Sequence, residues 1–333
     1  MKAHENELVS VIVPAFNAAR YLDETLRSIR AQSHEALEII VVDDGSSDAT
    51  ADIAAAHAHE DARVRVVTQP NGGVARARNT GLSHARGRYV APIDADDLWS
   101  RDKIEWQLDV ALAGAAPAAL VYSWYVTIDE NDGVRHWRRN LPEGDNLVRH
   151  MCYNNLVGSG SAPLMLREAV LDLGGYDATL RDRAAQGCED YKLYFGLIER
   201  HPARLVPAYL TAYRVYGGNM SSDIEQMLRS RAIVADEIAQ RRPDLRNALE
   251  RGHVRMLRLL LERQLKSGDR AGGVATVRAM MTLGASATAK QAALLAGRAV
   301  RRLVAPRRIA DGAAAWIFDP VQGARRRRRG EGR

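Results

Sequence analysis

The residues of this sequence best suited to chemistry are acids that follow two apolar runs. One run ends in Asp94-Ala95-Asp96-Asp97, and an earlier run ends in Asp43-Asp44-Gly45-Ser46. Because side chains alternate along a strand, Asp94 and Asp96 are expected to point to the same side. Two carboxylates so placed repel each other unless a cation lies between them, and Mg²⁺ and Mn²⁺ prefer such oxygen ligands. Acids at two strand ends therefore predict one binding site along the edge of a parallel sheet.

The elements that would carry these acids alternate over the first hundred residues. Strands are expected at 9–13, 37–42, 64–67 and 89–93, and helices at 21–31, 48–58 and 74–85. Runs this apolar are typical of strands covered on both faces, so the order predicts a doubly wound α/β sheet flanked by helices. A helix at 101–114 and strands at 120–127 and 205–215 extend the pattern, whereas residues 130–185 are expected to form long loops.

The pattern changes after residue 222, where helical spacing replaces the alternation. Helices are expected near 244–267 and at 286–304. We therefore divide the chain into a domain at 1–222, a helical region at 223–310 and a basic tail at 311–333 that is expected to be disordered.

The composition is that of a globular protein, with 46% apolar and 26% charged residues in 333. Two cysteines, Cys152 and Cys188, argue against a disulfide scaffold and suit a reducing compartment. The polar first residues contain no signal-peptide core, and no apolar stretch approaches the roughly 18 residues of a membrane-spanning helix. We expect a cytoplasmic protein, either free or peripheral on the inner face of the cell membrane.

The net charge of +6 hides an asymmetry between the two parts of the chain. Residues 251–333 contain 19 basic and 5 acidic residues, whereas the remainder contains 28 and 36. The basic end can be interpreted in two ways. It is either a solvated, disordered tail or a segment in which Arg325–Arg329 attaches to an anionic membrane surface. Each arginine near such a surface contributes about 1 kcal/mol of binding free energy. No recognised nucleic-acid-binding motif accompanies the charge, so we expect no nucleic-acid partner.

Six motifs in a fixed order resemble the family 2 glycosyltransferases. They are Val11–Asn17, Val42–Asp48, Asn71–Asn79, Asp94–Asp97, Gly174–Asp177 and Glu189-Asp190. The similarity covers about residues 8–220 and implies the GT-A fold, a doubly wound mixed sheet, here with a helical C-terminal extension. It also implies a nucleoside diphosphate sugar donor, expected to be UDP-linked.

The resemblance assigns roles to the two acidic clusters. Asp44 would accept a hydrogen bond from a nucleobase N–H, with Asp43 shaping the loop, although Asp-Gly-Ser is also ordinary turn chemistry. Asp96 would ligate a divalent ion, Mn²⁺ or Mg²⁺, which would act as a Lewis acid on the departing diphosphate. Asp94 would contact the ribose or assist the ion. The alternative is that Asp94 and Asp96 cap the following helix, which explains one acid but not three.

Further donor contacts are assigned to Pro14 in the first motif and to the segment that begins at Asn71. The glycines after Asn71 would let the backbone approach the donor, and Arg76 or Arg78 would hold a phosphate. For either arginine alone, a solvated helix face is an equal alternative. Which arginine points inward stays open.

The acceptor side is assigned to Glu189-Asp190, where Asp190 would act as general base on an acceptor hydroxyl. Glu189 would raise the pKa of Asp190 by repulsion, although acids at the start of a helix are also favourable against its dipole. One base and one metal-held leaving group imply a single displacement with inversion at the sugar carbon. A later motif, Tyr213–Ser221, has Tyr216 where relatives commonly have a histidine that aids the metal.

These residues together predict an inverting, metal-dependent glycosyltransferase that acts on a saccharide or lipid-linked acceptor in surface polysaccharide or glycolipid synthesis. One alternative is another nucleotide-binding enzyme such as a nucleotidyltransferase, although Pro14–Asn17 is not a Gly-rich phosphate fingerprint. The other alternative is a non-catalytic, membrane-associated scaffold.

Overall fold

A nine-stranded mixed sheet forms the centre of the computed structural model, which describes residues 5–141, 146–217, 223–283, 316–320 and 323–326. The strands are β1 (Val9–Ala15), β2 (Leu37–Asp43), β3 (Val64–Thr68), β4 (Tyr89–Pro92), β5 (Leu98–Trp99), β6 (Leu120–Ile128), β7 (Val134–Arg138), β8 (Leu164–Leu166) and β9 (Ala203–Arg214). Their order is β3-β2-β1-β4-β8-β6-β9-β5, and β7 pairs with β6 outside this path.

The first four strands run parallel, so their carboxyl ends meet at one edge. Val9 pairs with Leu37 on one side of β1 and with Tyr89 on the other. This register places Ala15 beside Asp43 and brings the segments that follow β1, β2 and β4 together. Beyond β4 the sheet becomes mixed, because β8 is antiparallel to both β4 and β6.

Helices cover both faces of the sheet, because every residue of β1 and β2 is buried and successive side chains face opposite sides. Ile12 belongs to one core cluster, and Val11 and Val13 belong to the other. The helices of this domain are α1 (Leu22–Arg30), α2 (Thr50–Glu60), α3 (Val74–His84), α4 (Lys103–Leu112), α5 (Leu147–Tyr153), α6 (Arg167–Asp172), α7 (Thr179–Asp182) and α8 (Glu189–Arg200).

Three helices follow the sheet domain: α9 (Ile224–Arg241), α10 (Arg246–Ser267) and α11 (Arg270–Thr282). Helix α10 packs against the end of α5, where Gly252 lies against the carbonyl oxygen of Cys152. None of the helices in the described part of the chain is long and apolar enough to cross a membrane. The helix expected at 286–304 lies outside the described residues.

The mixed α/β sheet flanked by helices and the helical region after it agree with the sequence prediction. The segment 130–185 differs, because it contains β7, α5, β8, α6 and α7 rather than only long loops. Each of these elements has only three to seven residues, which is too short for the sequence to show a helical or strand periodicity. In addition, β7 is an exposed edge strand that is rich in charged residues.

Part of the expected disordered tail also differs from that expectation. Two strands, β10 (Trp316–Asp319) and β11 (Gly323–Arg326), pair as an antiparallel hairpin. Phe318 is buried in a small cluster with Leu98 and Ala212, which gives the hairpin an apolar contact with the main sheet. Residues 327–333 lie outside the described residues.

Gly252 provides a test of how α10 is docked. A Cβ atom at this position would lie 1.9 Å from the Cys152 carbonyl oxygen, so Gly252→Ala must move α10 away from α5. We expect a loss of about 1–3 kcal/mol of unfolding free energy, the usual cost of overpacking, measured by urea denaturation. Gly217→Ala is the control, because its added methyl group would meet no atom of the described residues within 4 Å. Equal midpoints for the two variants would contradict the packing described.

Candidate active site

An open cleft of about 860 Å³ lies at the carboxyl ends of the parallel strands. Pro14 at the end of β1 and Asp44 after β2 form one part of its lining. Asp94 and Asp96 after β4, and Asp190 in the first turn of α8, form another. The structure therefore brings into one cavity three acids, at 44, 96 and 190, that are far apart in sequence.

The turn before α3 fixes the carboxylate of Asp44. Its Oδ1 accepts from the backbone N–H of Gly72 at 2.8 Å, and its Oδ2 accepts from the N–H of Gly73 at 2.7 Å. Asp43 is buried, and its Oδ1 accepts from the N–H of Ser46 at 3.1 Å, which closes the turn after β2. Asp44 lines the cleft, whereas Asp43 shapes the loop that carries it.

Asp97 anchors the loop after β4 through hydrogen bonds to two other segments of the chain. The carboxyl group of Asp97 accepts from the Ser161 hydroxyl at 2.5 Å and from the backbone N–H of Arg214 at 2.8 Å. The buried Arg214 also donates from Nε to the carbonyl oxygen of Asp96 at 2.8 Å. These bonds leave the side chains of Asp94 and Asp96 on the cleft side, where burial and the Asp94 carboxylate raise the pKa of Asp96 to about 6.

Arg78 is a buried cation between the two acidic segments of the cleft. Its Nη2 lies 2.5 Å from Asp94 Oδ1, and its Nη1 lies 3.7 Å from Glu189 Oε1. The guanidinium also lies 5.3 Å from the centroid of the Tyr176 ring. Arg78 is thus the inward-pointing arginine of α3, and it balances carboxylates of the protein, whereas Arg76 is exposed on the same helix.

Glu189 and Asp190 open α8, and their environments differ. Oε2 of Glu189 accepts from the N–H of Gly187 at 2.7 Å, while Oδ1 of Asp190 accepts from the N–H of Tyr191 at 2.6 Å. Burial first and the Glu189 charge second raise the pKa of Asp190 to about 7, and the Arg78 charge opposes this rise. A carboxyl group with a pKa near 7 is matched to accepting a proton at neutral pH.

An exposed arginine that the sequence did not single out lies at the rim of this cleft. Arg181 in α7 donates from Nη2 to Asn71 Oδ1 at 2.7 Å, and Asn71 donates from Nδ2 to the carbonyl oxygen of Asp44 at 3.0 Å. Arg181 lines the cleft, so an accessible cation lies next to the Asp44 loop. It follows the Gly174–Asp177 motif by only four residues, but no spacing rule connects it to Asn71.

Tyr216 occupies the histidine position of the late motif, and it lies at the Asp96 side of the cleft. Its hydroxyl hydrogen-bonds to the Asp96 carboxyl group, and its ring lies 5.4 Å from that of Tyr21. The described residues contain no group of three or more His, Cys, Asp or Glu side chains arranged to hold a metal ion. Asp96 with Asp94 nevertheless fits a hard divalent ion that takes its other ligands from phosphates and water, since Mg²⁺ sites often use one or two carboxylates in this way.

The helical region adds a wall to the cleft that no motif indicated. Met227 and Arg231 of α9 and Arg255, Met256 and Leu259 of α10 all belong to the lining. Periodicity predicted a helix near 244–267 within a helical region, but it gives no information on which part of a helix faces a neighbouring domain.

Residues 10–174 match the family described as "Glycosyl transferase family 2". Residues 10–174 belong to glycosyl transferase family 2. This glycosyltransferase domain is 48% identical over 103 residues to TuaG of Bacillus subtilis (strain 168), which is named for teichuronic acid biosynthesis, with 31% of this chain and 41% of TuaG covered. It is 40% identical over 129 residues to the glycosyltransferase GlyG of Streptococcus pneumoniae serotype 4 (strain ATCC BAA-334 / TIGR4), covering 38% of this chain and 42% of GlyG. The chain thus matches less than half the length of these curated relatives.

Solved GT-A glycosyltransferase structures share this fold. S. aureus TarS 1–349 in complex with UDP-GlcNAc has a TM-score of 0.62 at 17% identity, covering 83% of this chain and 81% of that one. The mannosyltransferase PcManGT from Pyrobaculum calidifontis, in complex with GDP-Man and Mn²⁺, has a TM-score of 0.58 at 21% identity, covering 88% and 80%. These likenesses confirm the predicted fold class.

The charge of Arg78 should be measurable at Asp190. Because the Arg78 charge opposes the rise that brings the pKa of Asp190 to about 7, Arg78→Met is expected to raise this pKa further, whereas Arg78→Lys should largely preserve it. The measurement is a ¹³C NMR titration of the aspartate carboxyl carbons. Arg76→Met is the matched control, because Arg76 is exposed on the same helix. An unchanged Asp190 midpoint in Arg78→Met would contradict the electrostatic coupling.

Proposed function

We propose that this protein transfers a sugar from a nucleoside diphosphate sugar to an acceptor hydroxyl, with inversion at the anomeric carbon. The observation that carries the proposal is the presence of Asp44, Asp96 and Asp190 in one cleft of a family 2 glycosyltransferase domain. These three acids supply a nucleobase acceptor, a metal ligand and a proton acceptor.

On the donor side, Oδ1 of Asp44 accepts from Gly72 and Gln69 and Oδ2 accepts from Gly73, so Oδ2 keeps an acceptor position for a nucleobase N–H, and we propose a uracil base. TarS has been solved with UDP and with UDP-GlcNAc, which supports this choice, whereas PcManGT has been solved with GDP-Man. Pro14 and Asn71 border the same part of the cleft, and Arg181 places a cation where it can meet the negatively charged donor. We therefore assign to Arg181 the phosphate contact that the sequence pattern assigned to Arg76 or Arg78.

A divalent ion, Mn²⁺ or Mg²⁺, would be held by Asp96 with help from Asp94. Once bound, it would stabilise the negative charge on the departing diphosphate. Tyr216 donates to Asp96 and thereby orients the carboxylate, and Arg214 fixes the backbone of the same residue. The Mn²⁺ bound to PcManGT supports this assignment.

On the acceptor side, Asp190 would take the proton from the attacking hydroxyl. Its pKa of about 7 keeps a large ionised fraction at neutral pH while leaving it basic enough to accept a proton. The acceptor oxygen would displace the nucleoside diphosphate from the anomeric carbon in one step. A single displacement of this kind inverts the configuration at that carbon.

We place this reaction in the synthesis of a surface polysaccharide or glycolipid, with a saccharide or lipid-linked acceptor. The name of TuaG, which refers to teichuronic acid biosynthesis, supports a role in polysaccharide synthesis. Attachment through Arg325–Arg329 to the inner face of the cell membrane stays a prediction. Only Arg325 and Arg326 of this segment are described, as part of β11.

Removal of the base provides the first test. Asp190→Asn is expected to lower the turnover number about 10²-fold to 10⁴-fold, the usual contribution of a general base, with little change in donor affinity. In the wild type, transfer should increase with pH through about 7, because only the ionised Asp190 carboxylate accepts the proton. Initial transfer rates with a panel of nucleotide sugars and Mn²⁺ measure both the turnover number and its dependence on pH. Asp52→Asn, exposed on α2, is the control. Full activity of Asp190→Asn would remove it from the mechanism.

Metal dependence can be measured without knowledge of the acceptor. A ligand that binds the native state raises its stability, so UDP-sugars should raise the melting temperature more in Mn²⁺ than in EDTA. Asp96→Ala should abolish the increment that depends on Mn²⁺, whereas Asp52→Asn should retain it. Equal shifts in Mn²⁺ and EDTA for every nucleotide sugar would argue against a metal-assisted donor site.

A further inference from the structure

The cleft extends beyond Glu189 and Asp190 to α9 and α10, the two helices that follow the sheet domain. Met227 of α9 and Arg255, Met256 and Leu259 of α10 form this part of its lining, which we call the helical wall. The helical wall lies entirely outside residues 10–174, the segment that matches the family.

The helical wall is fixed beside the proposed base. The Sγ of Cys188, two residues before Asp190, donates to the carbonyl oxygen of Met227 at 3.7 Å. The buried Arg231 of α9 donates from Nη2 to the carbonyl oxygen of Cys152 at 2.7 Å, and its guanidinium lies 4.4 Å from the ring centroid of Tyr191. Because Tyr191 directly follows Asp190, α9 packs against the same turn that presents the base. A molecule whose hydroxyl reaches Asp190 therefore meets the helical wall.

The chemistry of the helical wall differs from that of the donor side. Every acid in the described lining of the cleft comes from the loops of the sheet domain or from the first turn of α8, and none comes from α9 or α10. Met227 and Met256 are partly buried, and the Leu259 side chain is 42% exposed. Arg255 is partly buried, and its Nη1 donates to the Tyr153 carbonyl oxygen at 3.4 Å. The helical wall thus combines three apolar side chains with one permanently charged guanidinium.

A sugar acceptor alone does not account for this combination. Hydroxyl groups need polar partners, whereas an exposed apolar surface inside a cleft is typical of a binding site for an apolar group. A guanidinium at the border of such a surface is suited to a phosphate, which it can bind in bidentate fashion. The two features together fit a molecule with a phosphate next to an alkyl chain.

We propose that the helical wall is an acceptor subsite for an alkyl phosphate carrier, with the phosphate at Arg255 and the chain along Met227, Met256 and Leu259. This inference rests on the proposed function for the rest of the cleft. It assigns acceptor recognition to the helical region, so that the donor and the acceptor are selected by different parts of the chain.

Octyl phosphate is the probe for this subsite, and isothermal titration calorimetry of the full chain saturated with UDP and Mn²⁺ is the measurement. The wild type is expected to bind octyl phosphate more tightly than inorganic phosphate, because the chain buries apolar surface. Leu259→Glu and Arg255→Gln are each expected to weaken binding by roughly tenfold or more, through loss of apolar contact and of the charge-assisted bond.

Two matched variants on α10 serve as controls. Leu265→Glu places the same charge at an exposed leucine outside the cleft lining, and Arg263→Gln removes an exposed arginine there. Both should bind octyl phosphate as the wild type does, and all four variants should bind UDP equally.

Three outcomes would overturn the proposal: no binding of octyl phosphate, equal weakening by Leu259→Glu and Leu265→Glu, or displacement of UDP by the probe. A protein that binds no nucleotide in Mn²⁺ would instead contradict the proposed function. The two failures are distinguished by titrating UDP first.

Discussion

Repulsion between carboxylates is the constraint on which the architecture of this cleft depends. Asp94 and Asp96 leave β4 on the cleft side, and Glu189 and Asp190 open α8 opposite them. Burying several like charges close together is costly unless a cation is held between them. Arg78 meets this requirement, because its guanidinium bonds to Asp94 and approaches Glu189. The same ion pairs connect the loop after β4 to the first turn of α8, so that the position of one acidic segment depends on the other.

A second buried arginine holds the acidic loop from the opposite direction. Arg214 bonds to the backbone of Asp96, and it also reaches Glu24 at 2.9 Å and Asp132 at 2.7 Å. The end of β9, helix α1 and the turn between β6 and β7 are thus connected at one guanidinium. Such support matters because a site can act on a transition state only if its groups are oriented before the reaction. Tyr216 completes this support through its bond to the Asp96 carboxyl group.

The sheet domain and the helical region contribute different chemical groups to the same cleft. The strand ends supply acids and backbone donors of the kind that bind nucleotides and phosphates, and they belong to the family segment. Helices α9 and α10 supply apolar and cationic groups at the other end of the same cleft. Because Arg231 connects α9 to the turn of Tyr191, a change in how these helices pack alters the space in front of Asp190. Under the proposed function, acceptor specificity would vary through the helical region while the groups at the strand ends stay the same.

The sequence by itself determined the parallel half of the sheet, because apolar runs that are buried on both faces have few other structures available. It also determined that acids follow β2 and β4, since the residue after a strand end is a local property. The short elements between 130 and 185 escaped prediction because they span too few residues to show a period. Only the tertiary structure decided that Arg78 faces the carboxylates while Arg76 faces solvent, that Arg181 meets Asn71, and that α10 forms a wall of the cleft. The reason is physical: these arrangements depend on which surfaces pack together in the folded chain, and no local pattern of residue types records that packing.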